Sequence, residues 1–224
     1  MPNESFKNHC VYLIGKDQLQ VRAIVETALE DPIENIADIQ MQISLLINSP
    51  GGSVRSGKIL QDDLDLCRGD GDRVVAFAYP QALSAAAVLL ISADESYVVD
   101  DTRILFHASY IPEKEYDGGS YHWKKTQLHG QTIYTTEVGD QLLDIRDQLK
   151  RSKTGDPQKF EPCIARALRE NPEYPEVKFS GREAAEVGLV TESYATIEEL
   201  HQKMRESVPT TILNHTEVKG FLSK

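Results

Sequence analysis

In the first half of the chain, short apolar segments typical of strands alternate with segments in which apolar residues have helical spacing. Short apolar runs, typical of strands covered on both faces, occur at 10–14, 42–48, 73–79 and 103–107. Between them lie segments that predict helices, at 19–29, 53–67 and 82–93. The last of these helices is rich in Ala and Leu on all sides, which is typical of a buried helix. Strands separated by helices predict βαβ units and an α/β fold with a mainly parallel sheet.

The second half begins with a much longer amphipathic pattern. Apolar residues recur every three or four positions over about 121–151, which predicts one long helix, although Gly130 and Gly139 weaken it. A helix of that length projects beyond a compact body and leaves its apolar stripe uncovered. A second subunit is the simplest cover for the stripe, so we expect a homo-oligomer.

The remaining segments predict two short helices and a tail. Ser180 and Thr196 each precede a glutamate by three residues, the pattern of a capping box at a helix start. We expect a single domain over 1–208 and a peripheral C-terminal tail over 209–224.

Composition narrows the possible partners and the compartment. The 224 residues carry a net charge of −11, which argues against a nucleic-acid surface because phosphates require clustered Lys and Arg. The strongly apolar run at 82–93 is too short to span a membrane, and the polar first residues lack the apolar core of a signal peptide. We therefore expect a cytoplasmic protein without a membrane partner.

The three cysteines give no sign of a metal or redox site. Cys10, Cys67 and Cys163 lie far apart and no recognisable ligand spacing links them, so buried thiols are the simplest interpretation. We expect no cofactor and no metal.

A glycine-rich turn follows the second predicted strand. The segment 47–54 reads Ile-Asn-Ser-Pro-Gly-Gly-Ser-Val, in which Ser53 can cap the following helix. Backbone amides at such a helix start can hold an anion or a developing oxyanion. An ordinary strand-to-helix turn explains the same residues about equally well.

Two further residues could carry chemistry. Ser84 lies between the third strand and the buried helix, where a nucleophilic serine often occurs, although a helix cap is the commoner role. His107 ends the strand at 103–107 and could be either a satisfied core histidine or the base that takes a proton from Ser84.

Taken together, these segments resemble the proteolytic subunit of the Clp protease family, within the wider superfamily that includes the crotonases. The resemblance runs from about Val11 to about Val190. It rests on five segments in the family's order: the opening strand at 11–15, the glycine turn at 47–54, the serine segment at 81–84, the histidine strand at 103–107 and the closing helix and strand at 180–190.

The resemblance implies a fold, a reaction and an assembly. The fold would be a spiral of βαβ units with the helix at 121–151 as a projecting handle. Ser84 would attack a peptide carbonyl, His107 would accept and return the proton, and the amides of Gly52 and Ala85 would form the oxyanion hole. Two rings of subunits would interlock through the handle and enclose peptide or unfolded-protein substrates, which an ATP-driven unfoldase would feed.

The acidic member of the triad is less certain. The family has an aspartate four residues before the serine of the closing helix, and that position here is Glu176. Glutamate serves the same role in some hydrolases. The alignment with the family is not fixed in the segment before Ser180. Glu173 is therefore the second candidate and Asp156 the third.

Two departures from the family pattern affect these expectations. Pro80 stands where the family usually has glycine and could reshape the approach to Ser84. Only about ten residues precede the first predicted strand, where the family has a segment that lines the axial pore. We therefore expect little dependence on a Clp-type ATPase.

Other functions remain open at this point. A crotonase-like acyl-CoA enzyme would use the paired amides on a thioester, without needing Ser84 and His107. A structural paralogue would keep the ring without activity. Phage head-maturation proteases and signal-peptide peptidases share the core of this fold. Signal-peptide peptidases favour a lysine as the base, so the histidine at His107 points away from them.

Overall fold

A computed structural model describes residues 8–15, 21–27, 41–52, 54–116, 118, 123–153, 155–214 and 216–222. The strands of its main sheet are β1 (Asn8–Ile14), β2 (Val21–Thr27), β3 (Met41–Ser49), β4 (Arg73–Leu83), β5 (Glu95–Val99), β6 (Arg103–His107), β10 (Glu176–Ser180) and β11 (Glu192–Tyr194). They are arranged in the order β10-β6-β4-β3-β1-β2, with β5 paired to β4 and β11 paired to β5. The pairs around β3, β4 and β5 are parallel, whereas β2 and β10 run antiparallel to their neighbours.

Helices cover both faces of this sheet. One layer packs on alternate strand residues such as Leu45 and Ile47, and the other on intervening residues such as Leu46. The near-continuous burial of β3 follows from this two-sided cover. The first layer contains α1 (Val54–Gly69), α2 (Ala85–Ser92), α3 (Val138–Leu149), α4 (Pro157–Glu170) and α5 (Gly181–Glu186), and the second contains α6 (Ile197–Ser207), α7 (Thr210–Leu213) and α8 (Thr216–Leu222).

The long strand β4 divides the sheet in a way that positions the site. Its first part, Val75–Ala78, pairs with β5, and its last part, Gln81–Leu83, pairs with β6. The carboxyl ends of β4 and β6 therefore lie side by side. Such a division in a parallel sheet is a common location for a ligand site.

The prediction of one long helix over 121–151 is wrong for the described residues 123–151. They form β8 (Lys124–Leu128), a turn, β9 (Gln131–Thr135) and the 12-residue helix α3, and β9 also pairs with β7 (Tyr110–Pro112). The turn residues His129 and Gly130 have φ of 49° and 78°, as a two-residue hairpin turn requires and a helix does not allow. The segment expected to form a projecting handle therefore contains a hairpin as well as a helix.

Two other predictions need correction. The segment predicted as a helix at 19–29 contains the strand β2, in keeping with its β-branched Val, Ile and Thr residues. The tail predicted to be peripheral forms α7 and α8, and Ile212 and Val218 are buried in the second layer. The predicted capping boxes at Ser180 and Thr196 are confirmed, whereas the predicted cap Ser53 lies outside the described residues.

Candidate active site

Ser84 occupies a strained junction between β4 and α2. Its backbone has φ 56° and ψ −127°, a conformation that residues other than glycine rarely adopt. Its amide donates to the carbonyl of Leu105 at 2.7 Å, which ties the junction to β6. The side chain makes no capping hydrogen bond to α2, so the ordinary role of a helix-start serine does not account for it.

The glycine turn after β3 lies directly against this serine. A Cβ atom on Gly51 would come within 2.6 Å of the Ser84 Cβ and 3.3 Å of its Oγ. Gly51 also has φ 94°, so only glycine allows this close approach. The amides of Gly52 and Ala85 have no hydrogen-bond acceptor among the described residues. Two unpaired donors near Ser84 are what an oxyanion hole needs.

His107 reaches the same edge of the sheet from β6. Leu83 and Leu105 are partners in the parallel ladder, and His107 is the last residue of β6, so the end of β6 lies beside the Ser84 junction. No hydrogen bond joins Ser84 and His107 in the described part of the chain. Catalytic contacts of this kind are often long before substrate binds.

The imidazole of His107 is held on one side only. Its Nδ1 lies 2.7 Å from the Ala108 carbonyl oxygen and 2.7 Å from the Tyr174 hydroxyl. The rings of Tyr174 and Tyr110 lie 5.8 Å and 5.5 Å from the imidazole centroid. Among the described residues Nε2 has no hydrogen-bond partner, which leaves this nitrogen for a proton-transfer step.

Burial lowers the pKa of His107 below its usual value. The hydrogen bond to the Ala108 carbonyl and the negative charges of Glu176 and Asp144 oppose this shift. A lower pKa keeps the imidazole neutral at physiological pH, which is the form a general base needs.

Helix α3 fixes the backbone on either side of the imidazole. Gln148 donates its amide to the His107 carbonyl at 3.0 Å, and the Ser109 amide donates to the Asp144 carboxylate at 3.1 Å. Gln148 also donates to Asp144, at 3.1 Å, so the two helix residues act as one brace. Hydrogen bonds on both sides of His107 therefore connect this strand end to α3.

The structure does not bring the predicted acids into hydrogen-bond contact with His107. Glu176 is bound by Lys178 at 3.0 Å and by His129 at 3.3 Å. The Glu173 carboxylate accepts from the Thr126 hydroxyl. Asp156 caps α4 by accepting from the Gln158 amide, which is a structural role.

Tyr174 is a site residue that the sequence did not reveal. Its side chain is fully buried, and its hydroxyl donates to the Ala108 carbonyl at 2.5 Å. Its contact with His107 depends on β10 running antiparallel beside β6, which neither periodicity nor spacing indicates.

The arrangement suits acyl transfer. Among the described residues it combines an unpaired serine hydroxyl, a histidine with one free nitrogen and two unpaired backbone amides. In the described part of the chain, no group of three or more His, Cys, Asp or Glu side chains is arranged to hold a metal ion. Among the same residues, no helix has both the length and the apolar character needed to cross a membrane.

This chain is similar to known proteins of one family. The Clp protease family model matches residues 32–159. The chain is 30% identical to the ATP-dependent Clp protease proteolytic subunit 2 of Frankia casuarinae over 161 residues, covering 71% of this chain and 64% of the relative. It is 28% identical to the ATP-dependent Clp protease proteolytic subunit of Bdellovibrio bacteriovorus over 153 residues, covering 60% of this chain and 71% of the relative. With more than half of its residues matched by the family model and a fold of the corresponding α/β type, this chain belongs to the Clp protease family.

Proposed function

We propose that this chain is a serine endopeptidase that hydrolyses peptide bonds with Ser84 as nucleophile and His107 as general base. The observation that carries the proposal is the strained Ser84 junction, whose hydroxyl is not used for capping and which is tied to the strand that ends in His107. Strain of this kind is concentrated at functional sites. Family membership supports a peptidase in general terms.

The proposed reaction proceeds by acyl transfer. The Ser84 Oγ attacks the peptide carbonyl carbon while the His107 Nε2 takes the hydroxyl proton, and the carbonyl π electrons move onto oxygen. The amides of Gly52 and Ala85 donate to that oxyanion. His107 then protonates the departing amine, which leaves an acyl-Ser84 ester. A water molecule hydrolyses the ester by the same steps in reverse, with His107 again as base.

We also propose that the active form is a homo-oligomeric ring. Exposed apolar side chains on the outward faces of α1 and α3 support this part of the proposal. Ile59 and Leu66 are 54% and 71% exposed on α1, and Leu143 is 59% exposed on α3. Apolar groups on a helix surface are commonly covered in an assembly.

The substrates we propose are peptides and unfolded polypeptides, and the candidate partner is an ATP-driven unfoldase. Both relatives are named as subunits of ATP-dependent proteases. A short peptide needs no unfolding, so its cleavage should proceed without an ATPase. Addition of a Clp-type ATPase and ATP should matter only for folded substrates.

The test compares purified Ser84→Ala and His107→Gln variants with the unmodified protein. A fluorogenic peptide reports turnover and a fluorophosphonate probe reports labelling. We expect both variants to lose turnover and Ser84→Ala to lose labelling, while circular dichroism stays unchanged. Ser92→Ala is a matched control on α2, because its hydroxyl only donates to carbonyls of its own helix.

Two results would contradict the proposal. Turnover that persists in Ser84→Ala would exclude this nucleophile. An unmodified protein that neither cleaves nor labels would favour an inactive paralogue, and coenzyme A binding by that protein would favour a crotonase-like enzyme.

A further inference from the structure

We propose that Tyr174 is the positioning residue of the site, and that its neutral hydroxyl takes the place at His107 Nδ1 that a carboxylate fills in a Ser-His-Asp triad. This inference rests on the proposed peptidase function. The observation is the 2.7 Å hydrogen bond between the Tyr174 hydroxyl and His107 Nδ1. No carboxylate makes a hydrogen bond to either ring nitrogen of His107 among the described residues.

The directions of the hydrogen bonds follow from the Ala108 carbonyl. A carbonyl oxygen can only accept, and it lies 2.7 Å from His107 Nδ1 and 2.5 Å from the Tyr174 hydroxyl. Tyr174 therefore donates its proton to the Ala108 carbonyl, and Nδ1–H is shared between that carbonyl oxygen and the Tyr174 oxygen, each 2.7 Å away. A lone pair on Nδ1 would face the carbonyl lone pairs at 2.7 Å, so Nδ1 carries the proton. This assigns the neutral tautomer whose Nε2 is free to accept the serine proton.

The phenol is fixed independently of the imidazole. Its ring is fully buried and forms a small apolar cluster with Leu128 and Ile133 from the two strands of the β8–β9 hairpin. The backbone amide of Tyr174 donates to the Asn171 side chain at 3.1 Å. A rigid partner of this kind restricts the rotation of the imidazole, which is how an orienting group assists a base.

The hairpin also explains why Glu176 does not occupy this position. His129, at the hairpin turn, and Lys178, two residues further along β10, both hold the Glu176 carboxylate. One supersecondary unit therefore buries Tyr174 beside the imidazole and helps to draw the carboxylate away from it. The Glu176 carboxylate therefore influences His107 electrostatically rather than through a hydrogen bond.

The Tyr174 hydroxyl is neutral and the Glu176 carboxylate carries a negative charge, so the two groups have different roles beside His107. Burial raises the pKa of Tyr174 far above its usual value, so the phenol stays neutral wherever the protein is folded and active. Tyr174 can therefore orient His107 but cannot supply negative charge to the imidazolium. That charge comes from Glu176 on β10 and Asp144 on α3, both of which raise the His107 pKa.

The experiment removes only the hydroxyl, with Tyr174→Phe. We expect kcat to fall by about 10–100-fold with KM little changed, the effect of losing one hydrogen bond to a group that becomes charged. The acidic limb of the pH profile should move to lower pH, because the hydroxyl accepts more strongly from imidazolium than from imidazole. The groups that face His107 and titrate or carry charge, namely Tyr110, Glu176 and Asp144, remain in place.

Tyr97→Phe is the matched control. Tyr97 is also buried, and its hydroxyl makes a 2.6 Å hydrogen bond to Glu95 within β5. Both variants should unfold at similar temperatures, but only Tyr174→Phe should change kcat and the pH limb. Independently of turnover, nitrogen-15 NMR of the Ser84→Ala protein should show His107 protonated at Nδ1 in its neutral form.

The possible outcomes separate the two proposals. If the unmodified protein cleaves peptide but Tyr174→Phe matches Tyr97→Phe in kcat and pH limb, the inference fails and the peptidase function stands. Neutral His107 protonated at Nε2 would also overturn the inference alone. If the unmodified protein neither cleaves nor labels, both proposals fail together.

Discussion

Glu176 lies directly opposite His107 in the antiparallel ladder between β6 and β10. Opposed residues in such a ladder project on the same face of the sheet, so the carboxylate and the imidazole are neighbours. They nevertheless share no hydrogen bond in the described structure, because Lys178 and His129 hold the carboxylate. Its influence on His107 is therefore electrostatic and acts through space, raising the His107 pKa.

The first prediction concerns Glu176→Gln. Loss of the charge should lower the His107 pKa further and destabilise the imidazolium that forms during attack. We expect turnover to fall by about tenfold, or ~1.4 kcal/mol, near the lower end of what a charge at short range contributes in a protein. Peptide cleavage measured against pH should show the acidic limb displaced to lower pH. Lys203→Gln, on α6 away from the site, is a control for the change of one charge.

A far larger loss in Glu176→Gln would indicate that the carboxylate moves onto Nδ1 when substrate binds. In that case the triad expected from the sequence would form only in the complex. An unchanged rate and an unchanged pH limb would remove Glu176 from the mechanism altogether.

The second prediction is the pH dependence of the unmodified protein. His107 must be neutral to accept the serine proton, and its pKa is lowered by burial. The rate should therefore rise with pH through a limb that lies below the usual histidine value of about 6.5. This limb should be measured in the pH dependence of kcat/KM, which reports the pKa values of the protein without bound substrate. A limb above that value would contradict the buried environment of the imidazole.

The lowered pKa of His107 also makes the stability of the fold depend on pH. The unfolded chain binds a proton at His107 more readily than the folded chain, so stability rises with pH where the two differ. His107 should therefore begin to weaken the fold as pH falls through about 6.5. Below the folded-state pKa its contribution becomes constant. Thermal unfolding of His107→Gln should lack this component.

Much of the candidate site could be predicted because its motifs are local in sequence. The glycine turn and the serine at a strand-to-helix junction each occupy a few consecutive residues, and the structure brings Gly51 and Ser84 into contact. The capping boxes at Ser180 and Thr196 are local in the same sense. Turns and caps depend on backbone conformations and hydrogen bonds within a few residues, which short motifs encode.

The errors arose where structure depends on distant partners. The apolar residues of the β8–β9 hairpin also fit helical spacing, so the sequence pattern favours a helix there, although the turn at His129 and Gly130 has a backbone that a helix does not allow. Tyr174 was missed because its contact with His107 joins residues 67 positions apart. The register of β10 on β6 decides that contact, and a single sequence carries no direct record of it.

The third prediction concerns the close approach of the glycine turn to Ser84, the proposed nucleophile. In Gly51→Ala the added methyl would lie 2.6 Å from the Ser84 Cβ and from the Leu83 carbonyl oxygen, and φ would remain at 94°. We expect a stability loss of ~1–3 kcal/mol from the strained backbone and a large loss of turnover from displacement of Ser84. Thermal unfolding and fluorophosphonate labelling measure the two effects.

Gly139→Ala is the control for that substitution. Gly139 lies in α3, and a Cβ there meets nothing within 4 Å. Alanine in a helix should leave stability equal or improve it by up to about 1 kcal/mol. A Gly51→Ala protein that labels and cleaves as well as the Gly139→Ala protein would show that Ser84 does not depend on the turn.

The last prediction concerns self-association through α3. Leu143 is 59% exposed there, whereas its neighbour Ile145 is fully buried. A charge at Ile145 would enter the core and unfold the subunit. Leu143→Glu should instead leave the unfolding temperature nearly unchanged and lower the sedimentation coefficient at micromolar concentration.

Gln158→Glu adds the same charge on α4 and should leave the assembly intact. If Leu143→Glu sediments like the unmodified protein, this face of α3 is not a subunit contact, and the exposed Ile59 and Leu66 of α1 become the candidates.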